Sequence, residues 1–301
     1  MSLRTRILSC AYRLSPFSLK GDALLEHNEE SCDVSCVINF FGRIDLLESI
    51  LFSLAEQDLP KERYEVILVE DRGGTKEGRE VAQHFASLFN ARYFALPENH
   101  GIMGYSRNYG LSRTTGKYVL FLDDDTVILQ RDFLSKLVES FRKTNAEGII
   151  PHGNASYCLV EGRYDHHDAF FPTSRCMAYQ RKVLQELGGF VSSMIGQEDV
   201  EFYVRYLLSG KSSISDSHIK YFHPPLLVPN FRKPMAVGNS FYHLRRRYPI
   251  VPWLLLLANC SRHAPLYLVP LKRYREMGRF GLGFIFGVIA SPFKREGFQY
   301  G

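Results

Sequence analysis

One stretch of the chain, from Tyr118 to Ile128, joins an apolar run to three consecutive carboxylates. The run YVLFL predicts a strand that is buried on both faces, as in a parallel sheet. Asp123, Asp124 and Asp125 then follow at its C-terminal end, where open α/β sheets bind their ligands. Because three adjacent carboxylates repel one another, they indicate a bound cation, although an acidic turn that caps a helix has a similar sequence.

The segments before this stretch alternate between strand and helix patterns. Predicted strands end near Phe40 and Asp71, and the helix between them has apolar residues at helical spacing and stops before Pro60. This βαβ order implies a parallel sheet. A third strand is predicted in ARYFALPENHG and a helix in GYSRNYGLSRTTGK, so the strand that begins at Tyr118 is the fourth. The loops that follow Phe40, Asp71 and Asp123 should therefore line one crevice.

Further polar clusters lie downstream of the carboxylates. Glu198 and Asp199 begin an amphipathic helix, where acids often serve only as partners of the helix dipole. The segment around His166, His167 and Asp168 contains candidate ligands or acceptor contacts, although a solvated loop is the simpler interpretation.

The composition is that of a folded protein with a sizeable core. The chain has 301 residues, 45% of them hydrophobic, and a net charge of +5. Its six cysteines are scattered without a CxxC pair, which indicates reduced thiols in a cytosolic protein. The N-terminus lacks a long apolar run, so no secretory signal is predicted.

The C-terminal region, residues 229–301, is basic, aromatic and apolar in turn. Its apolar pieces, Trp253 to Ala258 and Phe280 to Ala290, are too short to span a membrane. Basic residues between apolar runs are typical of helices that lie in a membrane interface, and they make a nucleic-acid partner unexpected. An ordinary helical subdomain packed on the core is the alternative. We therefore expect an extension over 1–31, a main domain over 32–228, and this helical region.

The order of the motifs is more specific than any one of them. VSCVINFFGR, VEDRGG, ENHGIMGYSRNYGL, GKYVLFLDDDTVI, CMAYQRKVL, LGGF and QEDVEFYVR follow one another between Val34 and His223. This succession resembles the family-2 inverting glycosyltransferases with the GT-A fold. The resemblance implies an α/β fold with a Rossmann-like, mostly parallel sheet flanked by helices, followed by the basic, apolar helical region.

The resemblance also implies roles for individual residues. The acidic pair of the QEDVEFYVR motif would contain the base that deprotonates the acceptor, with Asp199 preferred and Glu198 in reserve. A Mg²⁺ or Mn²⁺ ion that bridges the donor diphosphate would be held by Asp125, Asp123 and His223. Residues expected near the nucleotide are Asp71, Glu70, Arg107, Asp123, Asp124 and Phe40.

Some positions depart from the family pattern. NFFGR lacks the Thr or Pro and the Asn that often precede the Arg, Cys176 stands where an Asn is frequent, and Val191 stands where an Asp is common. These differences leave the donor sugar open, whereas the metal and base positions are intact.

The expected function follows from the resemblance. The chain should move a sugar, with inversion, from a UDP- or dTDP-linked donor to a hydroxyl of a glycan or lipid-linked acceptor. It should work at the cytoplasmic face of the plasma membrane, as a peripheral protein. A sugar-phosphate nucleotidyltransferase is an alternative, but NFFGR lacks the Gly-rich, basic phosphate loop of such enzymes. A non-catalytic nucleotide-sugar-binding protein is a second alternative, which the intact acids disfavour.

Overall fold

The computed structural model describes residues 3–25, 28–97, 101–157, 160–165, 176–223 and 228–293. Within these ranges the main elements are α1 (Leu3–Leu14), β1 (Cys32–Phe40), α2 (Ile44–Ala55), β2 (Tyr64–Glu70), α3 (Lys76–Ala86), β3 (Ala91–Ala95), α4 (Met103–Ser112), β4 (Gly116–Asp123), α5 (Phe133–Thr144), β5 (Gly148–Tyr157), β6 (Val160–Asp165), β7 (Cys176–Gln180), α6 (Arg181–Glu186), α7 (Glu198–Leu208), β8 (Ser213–His223), α8 (Arg232–His243), α9 (Ile250–Ser261) and α10 (Lys272–Ala290).

One mixed sheet organises these elements. Its strand order is β3-β2-β1-β4-β7-β5-β6, and β8 pairs in parallel with β5. Strands β1 to β4 are mutually parallel, whereas β7 runs antiparallel to both β4 and β5. The predicted α/β fold is confirmed. The carboxyl ends of β1, β2 and β4 meet at one edge, because parallel neighbours end on the same side.

The sheet carries an apolar layer on each face. Leu120 and Leu122 of β4 face the layer that contains α2, α3 and α5. Val119 and Phe121 face the other layer, which contains α4, α6, α7 and the C-terminal helices. Both faces are covered, so the central strands read as almost continuous apolar runs. The alternation also decides on which face each polar residue at a strand end will lie.

Two glycines bring α4 close to the sheet. A Cβ atom at Gly110 would lie 2.6 Å from Val37 Cγ1, and one at Gly104 would lie 2.2 Å from the Val191 carbonyl oxygen. Larger residues at these positions would push the helix outward. The close approach sets Arg107, midway along α4, beneath the carboxyl ends of the strands.

The N-terminal segment packs on the main domain. Leu8 of α1 is buried in the same apolar layer as α7. Further along, the backbone N–H of Gly21 donates to the Leu187 carbonyl at 2.7 Å, and that of Ala23 donates to the Gly188 carbonyl at 2.9 Å. This part of the predicted extension is therefore bonded to the turn after α6.

The C-terminal helices also join the core. Trp253, Leu256 and Phe284 are buried in the layer that contains α7. A Cβ atom at Gly238 would lie 2.0 Å from the Phe284 carbonyl oxygen, so α8 and α10 touch through their backbones. In the described part of the chain, no helix combines the length and the apolarity that crossing a membrane requires.

Candidate active site at the carboxyl ends of the strands

The three carboxylates form a tight turn at the end of β4. The backbone N–H of Thr126 donates to the Asp123 carbonyl at 3.1 Å and closes the turn. Next, Val127 and Phe222 exchange two backbone hydrogen bonds of 2.8 Å each, which join this loop to the end of β8. The bridge delivers His223, the last residue of β8, to the acidic loop.

Asp123, Asp125 and His223 converge as a candidate cation site. His223 Nε2 lies 2.9 Å from Asp125 Oδ1 and 3.3 Å from Asp123 Oδ2. One donor atom from each residue lies within 4.8 Å of the others. The Asp123 side chain is 28% exposed, so the site opens to the crevice. Two carboxylate oxygens and an imidazole nitrogen suit a divalent ion that keeps some of its waters.

Arg43 lies across the same acids from the other side. It is the N-cap residue of α2 and has a left-handed backbone with φ of 49°. Its Nε donates to Asp124 Oδ2 at 3.2 Å, its Nη2 donates to Asp124 Oδ1, and its Nη1 donates to Asp125 Oδ2 at 2.7 Å. Burial raises the pKa of the Asp124 carboxyl to about 7, and Arg43 acts in the opposite direction.

Arg107 connects the acidic loop to α7. Its Nη2 donates to Asp123 Oδ1 at 3.1 Å, and its Nε lies 3.2 Å from Glu198 Oε1. The guanidinium is buried between the rings of Phe121 and Phe190, with ring centroids at 5.9 and 5.8 Å. The family resemblance predicts Arg107 near the nucleotide; in the structure Arg107 is buried and links two acidic motifs.

The two acids of α7 have different surroundings. Glu198 is 3% exposed, and burial raises its pKa to about 7, while Arg107 acts in the opposite direction. Asp199 is partly exposed, and its Oδ1 accepts a hydrogen bond from the Val200 backbone N–H at 2.9 Å. Of the two carboxylates, Asp199 is therefore the more accessible to solvent.

Asp71 borders the crevice beyond β2. Its Oδ1 accepts a hydrogen bond from the Arg72 backbone N–H at 2.9 Å, and its Oδ2 accepts one from the Gly101 N–H at 2.7 Å. Beside it, the Arg72 guanidinium lies 4.1 Å from the ring centroid of Phe41, whose side chain is 44% exposed. No motif in the sequence predicted this aromatic–guanidinium pair, which lies beside Asp71 at the same sheet edge.

Phe40 and Glu70 lie on the opposite face of the sheet from Asp123. Phe40 is 4% exposed and belongs to the apolar layer of α2, α3 and α5. Glu70 is fully buried, and its carboxylate accepts hydrogen bonds from the Thr75 N–H at 3.0 Å, the Thr75 hydroxyl at 2.8 Å and the Tyr93 hydroxyl at 2.5 Å. The structure does not bring these two side chains to the crevice, because alternate residues of a strand point to opposite faces.

The remaining predicted residues are Asp124 and the His166–Asp168 cluster. Asp124 is 4% exposed and lies outside the set of converging ligand atoms, with Arg43 as its partner. The candidate ligands His166, His167 and Asp168 lie outside the described residues. A sequence signal for Arg43 did exist: an arginine that follows β1 stands at the same sheet edge as the acids that follow β4.

The family assignment agrees with this geometry. Residues 35–197, slightly more than half of the chain, match the model of glycosyl transferase family 2. The chain belongs to this family, which confirms the predicted family and the predicted class, a glycosyltransferase.

The chain is similar to curated relatives in sequence and to solved structures in fold. The chain is 27% identical over 178 residues to the cellulose synthase 1 catalytic subunit [UDP-forming] of Komagataeibacter xylinus, covering 52% of this chain and 23% of that protein. The mannosyltransferase PcManGT from Pyrobaculum calidifontis, solved with GDP-Man and Mn²⁺, superposes with a TM-score of 0.62 at 16% identity, covering 97% of this chain and 95% of that one. S. aureus TarS 1-349 with UDP-GlcNAc gives a TM-score of 0.57 at 19% identity over 85% and 81% of the two chains. The chain spans about a quarter of the length of its cellulose synthase relative.

Proposed function

We propose that this protein is a metal-dependent inverting glycosyltransferase that moves a sugar from a nucleoside-diphosphate sugar to a hydroxyl of a glycan or lipid-linked acceptor. One observation carries the proposal: a single buried guanidinium, that of Arg107, bonds to Asp123 and contacts Glu198. It thereby links one candidate cation ligand to the first acid of α7. Displacement of a diphosphate by a hydroxyl needs a group that stabilises the leaving diphosphate and a base for the hydroxyl in one site.

The donor would bind over the strand ends. Asp71 borders the loops after β2, where its carboxylate can accept a hydrogen bond from a base, and the Phe41–Arg72 pair offers a stacking surface. The relatives support a nucleotide-linked donor, since their structures hold GDP-Man or UDP-GlcNAc. The proposed donor class is a UDP- or dTDP-sugar.

The cation would be held by Asp123, Asp125 and His223. A bound divalent ion offsets the negative charge that develops on the leaving diphosphate. Because one ligand is an imidazole nitrogen, and Mg²⁺ prefers an all-oxygen octahedral shell, we propose Mn²⁺ ahead of Mg²⁺.

Asp199 would act as the general base. It is the more accessible acid of the pair, whereas Glu198 is buried against Arg107. Glu198 would then keep Arg107 and the start of α7 in place. An acceptor hydroxyl within hydrogen-bonding distance of Asp199 would lose its proton as it attacks the sugar carbon, and the bond to the diphosphate would break.

The decisive test is substitution of Asp125 by Asn. We expect Mn²⁺-dependent release of nucleoside diphosphate from UDP- or dTDP-sugars to fall by about 10²- to 10³-fold, because a lost ligand removes several kcal/mol of charge stabilisation. Asp58→Asn, an exposed site outside the crevice, is the matched control. Full metal-dependent activity of Asp125→Asn would refute the mechanism.

A membrane surface is the proposed second partner. Residues 229–301 contain twelve Lys and Arg against two Glu and no Asp, so this region is strongly basic while the rest of the chain is net acidic. Its helices and their connections also expose large apolar side chains, namely Ile250, Val251, Leu254, Leu268, Leu271, Phe286, Ile289 and Phe293. Apolar side chains beside basic ones suit the interface of an anionic bilayer, and the proposed location is the cytoplasmic face of the plasma membrane.

Surface substitutions test this better than truncation, because Trp253, Leu256 and Phe284 are part of the core. A triple change of Ile250, Val251 and Leu254 to Ser should reduce co-sedimentation with liposomes rich in phosphatidylserine. Phe52→Ser, which alters an exposed side chain of α2, is the control. Equal partitioning of the triple variant and the wild type would refute membrane docking through α9.

A further inference from the structure

We infer that Arg43 is a positioning residue that holds Asp124 continuously and holds Asp125 only until a cation and a diphosphate enter. This inference rests on the proposed function and deepens it. It assigns a role to a residue outside the candidate ligand set, in the first loop of the chain's sheet.

The guanidinium makes two kinds of contact. Nε and Nη2 form a two-point contact with Asp124, whose carboxylate is not among the converging ligand atoms. A planar fork on a nearly buried carboxylate is the strong, directional form of an arginine ion pair. The remaining nitrogen, Nη1, contacts Asp125 Oδ2 at 2.7 Å. The Nε and Nη2 edge of the guanidinium is therefore held by Asp124, while the Nη1 corner donates to Asp125, a candidate cation ligand.

The corner contact opposes cation binding. Asp125 Oδ2 accepts from Arg43, while Oδ1 of the same carboxylate lies 2.9 Å from His223 Nε2. A positive guanidinium on a ligand carboxylate repels an incoming divalent ion and draws electron density from its ligand. In this arrangement the positive guanidinium of Arg43 offsets part of the negative charge of the acidic loop.

The position of Arg43 lets it turn toward a donor. Its backbone is fixed, since its carbonyl accepts from the N–H groups of Leu46 and Leu47 at 3.1 Å each. A left-handed φ of 49° is strained in a residue with a side chain, and here it directs the chain across the strand ends. The side chain remains 50% exposed on the crevice side. A diphosphate held at the proposed cation site would offer phosphate oxygens to a guanidinium beside that site, and guanidinium binds phosphate well.

The two roles make opposite predictions for one substitution. Without Arg43, Asp125 loses a competing positive charge, so Mn²⁺ alone should bind about 2- to 5-fold more tightly, as expected for a half-exposed ion pair. In saturating Mn²⁺, UDP should bind about 10- to 100-fold more weakly, because a charge-assisted hydrogen bond to the diphosphate is lost.

The experiment uses the full chain with Arg43→Ala and Arg43→Lys. Mn²⁺ binding is followed by the paramagnetic resonance signal of the free ion, and UDP binding in saturating Mn²⁺ by calorimetry. Arg43→Lys keeps the charge but loses the fork, so we expect unchanged Mn²⁺ affinity and weaker UDP binding. Arg131→Ala, which removes an exposed ion pair with Glu56, is the control and should leave both affinities unchanged.

The outcomes separate this inference from the proposed function. Weaker Mn²⁺ binding by a folded Arg43→Ala protein would show that Arg43 only supports the loop, and would overturn the inference. Unchanged UDP affinity in both Arg43 variants would also overturn it. Absence of Mn²⁺ binding by the wild type would instead overturn the proposed function. If Arg43→Ala does not fold, Arg43→Lys alone decides through its UDP affinity.

Discussion

Helix α7 contributes the glutamates of two buried Arg–Glu pairs, Glu198 and Glu201, about one turn apart, and the surroundings of the two pairs differ. Glu201 binds Arg205 through both carboxylate oxygens, at 2.7 and 2.8 Å, and also accepts from the Tyr248 hydroxyl at 2.6 Å. Arg205 donates in addition to the carbonyls of Leu187 and Gly189 at 2.9 and 2.8 Å. This pair is enclosed by protein groups that tie α7 to the turn after α6 and to the C-terminal region.

The other pair opens onto the crevice. Arg107 contacts Glu198 and also bonds to Asp123, which belongs to the candidate cation site, and Asp199 follows Glu198 directly. Residue types and burial are the same in the two pairs. A buried ion pair whose bonding is completed by protein groups is suited to a structural role, whereas one whose partners continue into a candidate ligand site is also placed to act in chemistry.

The largest effect is expected at the open end of the helix. Asp199→Asn should lower kcat by about 10²- to 10⁴-fold, the usual contribution of a general base, because the amide cannot take the acceptor proton. The measurement is nucleoside diphosphate release with a saturating acceptor. The thermal unfolding of Asp199→Asn should match that of the wild type, since Asp199 is partly exposed. A decrease in kcat of less than tenfold would show that Asp199 is not the general base, and Glu198 would become the first alternative.

A large loss of stability, but not of chemistry, is expected at the enclosed pair. Arg205→Met should lower the free energy of unfolding by about 3–5 kcal/mol, because Glu201 would remain buried without its counter-charge. Denaturant titration measures this loss. Arg131→Met, in the exposed pair with Glu56, should cost less than about 1 kcal/mol. At a temperature where Arg205→Met is folded, kcat per folded molecule should stay close to that of the wild type. A large loss of kcat under these conditions would show that the enclosed pair is also needed for chemistry.

The smallest effect concerns the pH dependence of stability. Burial raises the pKa of Glu198 from 4.5 to about 7, so the folded state keeps a proton that the unfolded state releases across that window. Glu198 therefore makes stability fall as pH rises from about 4.5 to 7. Glu198→Gln should remove this contribution, so that its unfolding free energy declines less than that of the wild type between pH 5 and 7.5.

The expected difference is about 1–3 kcal/mol, given about 1.4 kcal/mol for each pKa unit. Denaturant titrations at several pH values, with a chelator to exclude metals, give the two curves. Parallel curves for the wild type and Glu198→Gln would contradict the assignment.

Local pattern was enough to predict most of the fold. Apolar runs and helical spacing placed β1, β2 and β4 and the intervening helices, because one strand buried on both faces fixes its neighbours. The meeting of the loops after Phe40, Asp71 and Asp123 followed from parallel pairing.

Side-chain direction was harder to predict. Glu70 and Asp71 are adjacent, yet Glu70 bonds to Thr75 and Tyr93 below the sheet edge while Asp71 borders the crevice. A shift of one residue in a strand moves every side chain to the opposite face of the sheet. At the end of a strand, the sequence pattern does not define the register to within one residue.

Contacts between segments far apart in the chain could not be predicted from the sequence pattern. Arg43 reaches Asp124, 81 residues away, and Arg205 reaches Tyr248 through Glu201. Such contacts depend on how helices and loops pack, which periodicity does not report. Burial of Arg107 has the same origin, since nothing in RNYG distinguishes a guanidinium under the strand ends from one facing a ligand.

The two backbone hydrogen bonds between Val127 and Phe222 join the acidic loop to the end of β8, so the candidate cation site is completed only after β8 has been synthesised. Asp123 and Asp125 leave the ribosome well before His223, and at about 5–20 residues per second the interval is roughly 5–20 s. During that interval the acids have no histidine partner, so a metal ion cannot template the folding of the first strands through the complete site. On the proposed function, cation loading would be a late event in the life of a new chain, and a synthesis pause before β8 would leave Asp123 and Asp125 without His223.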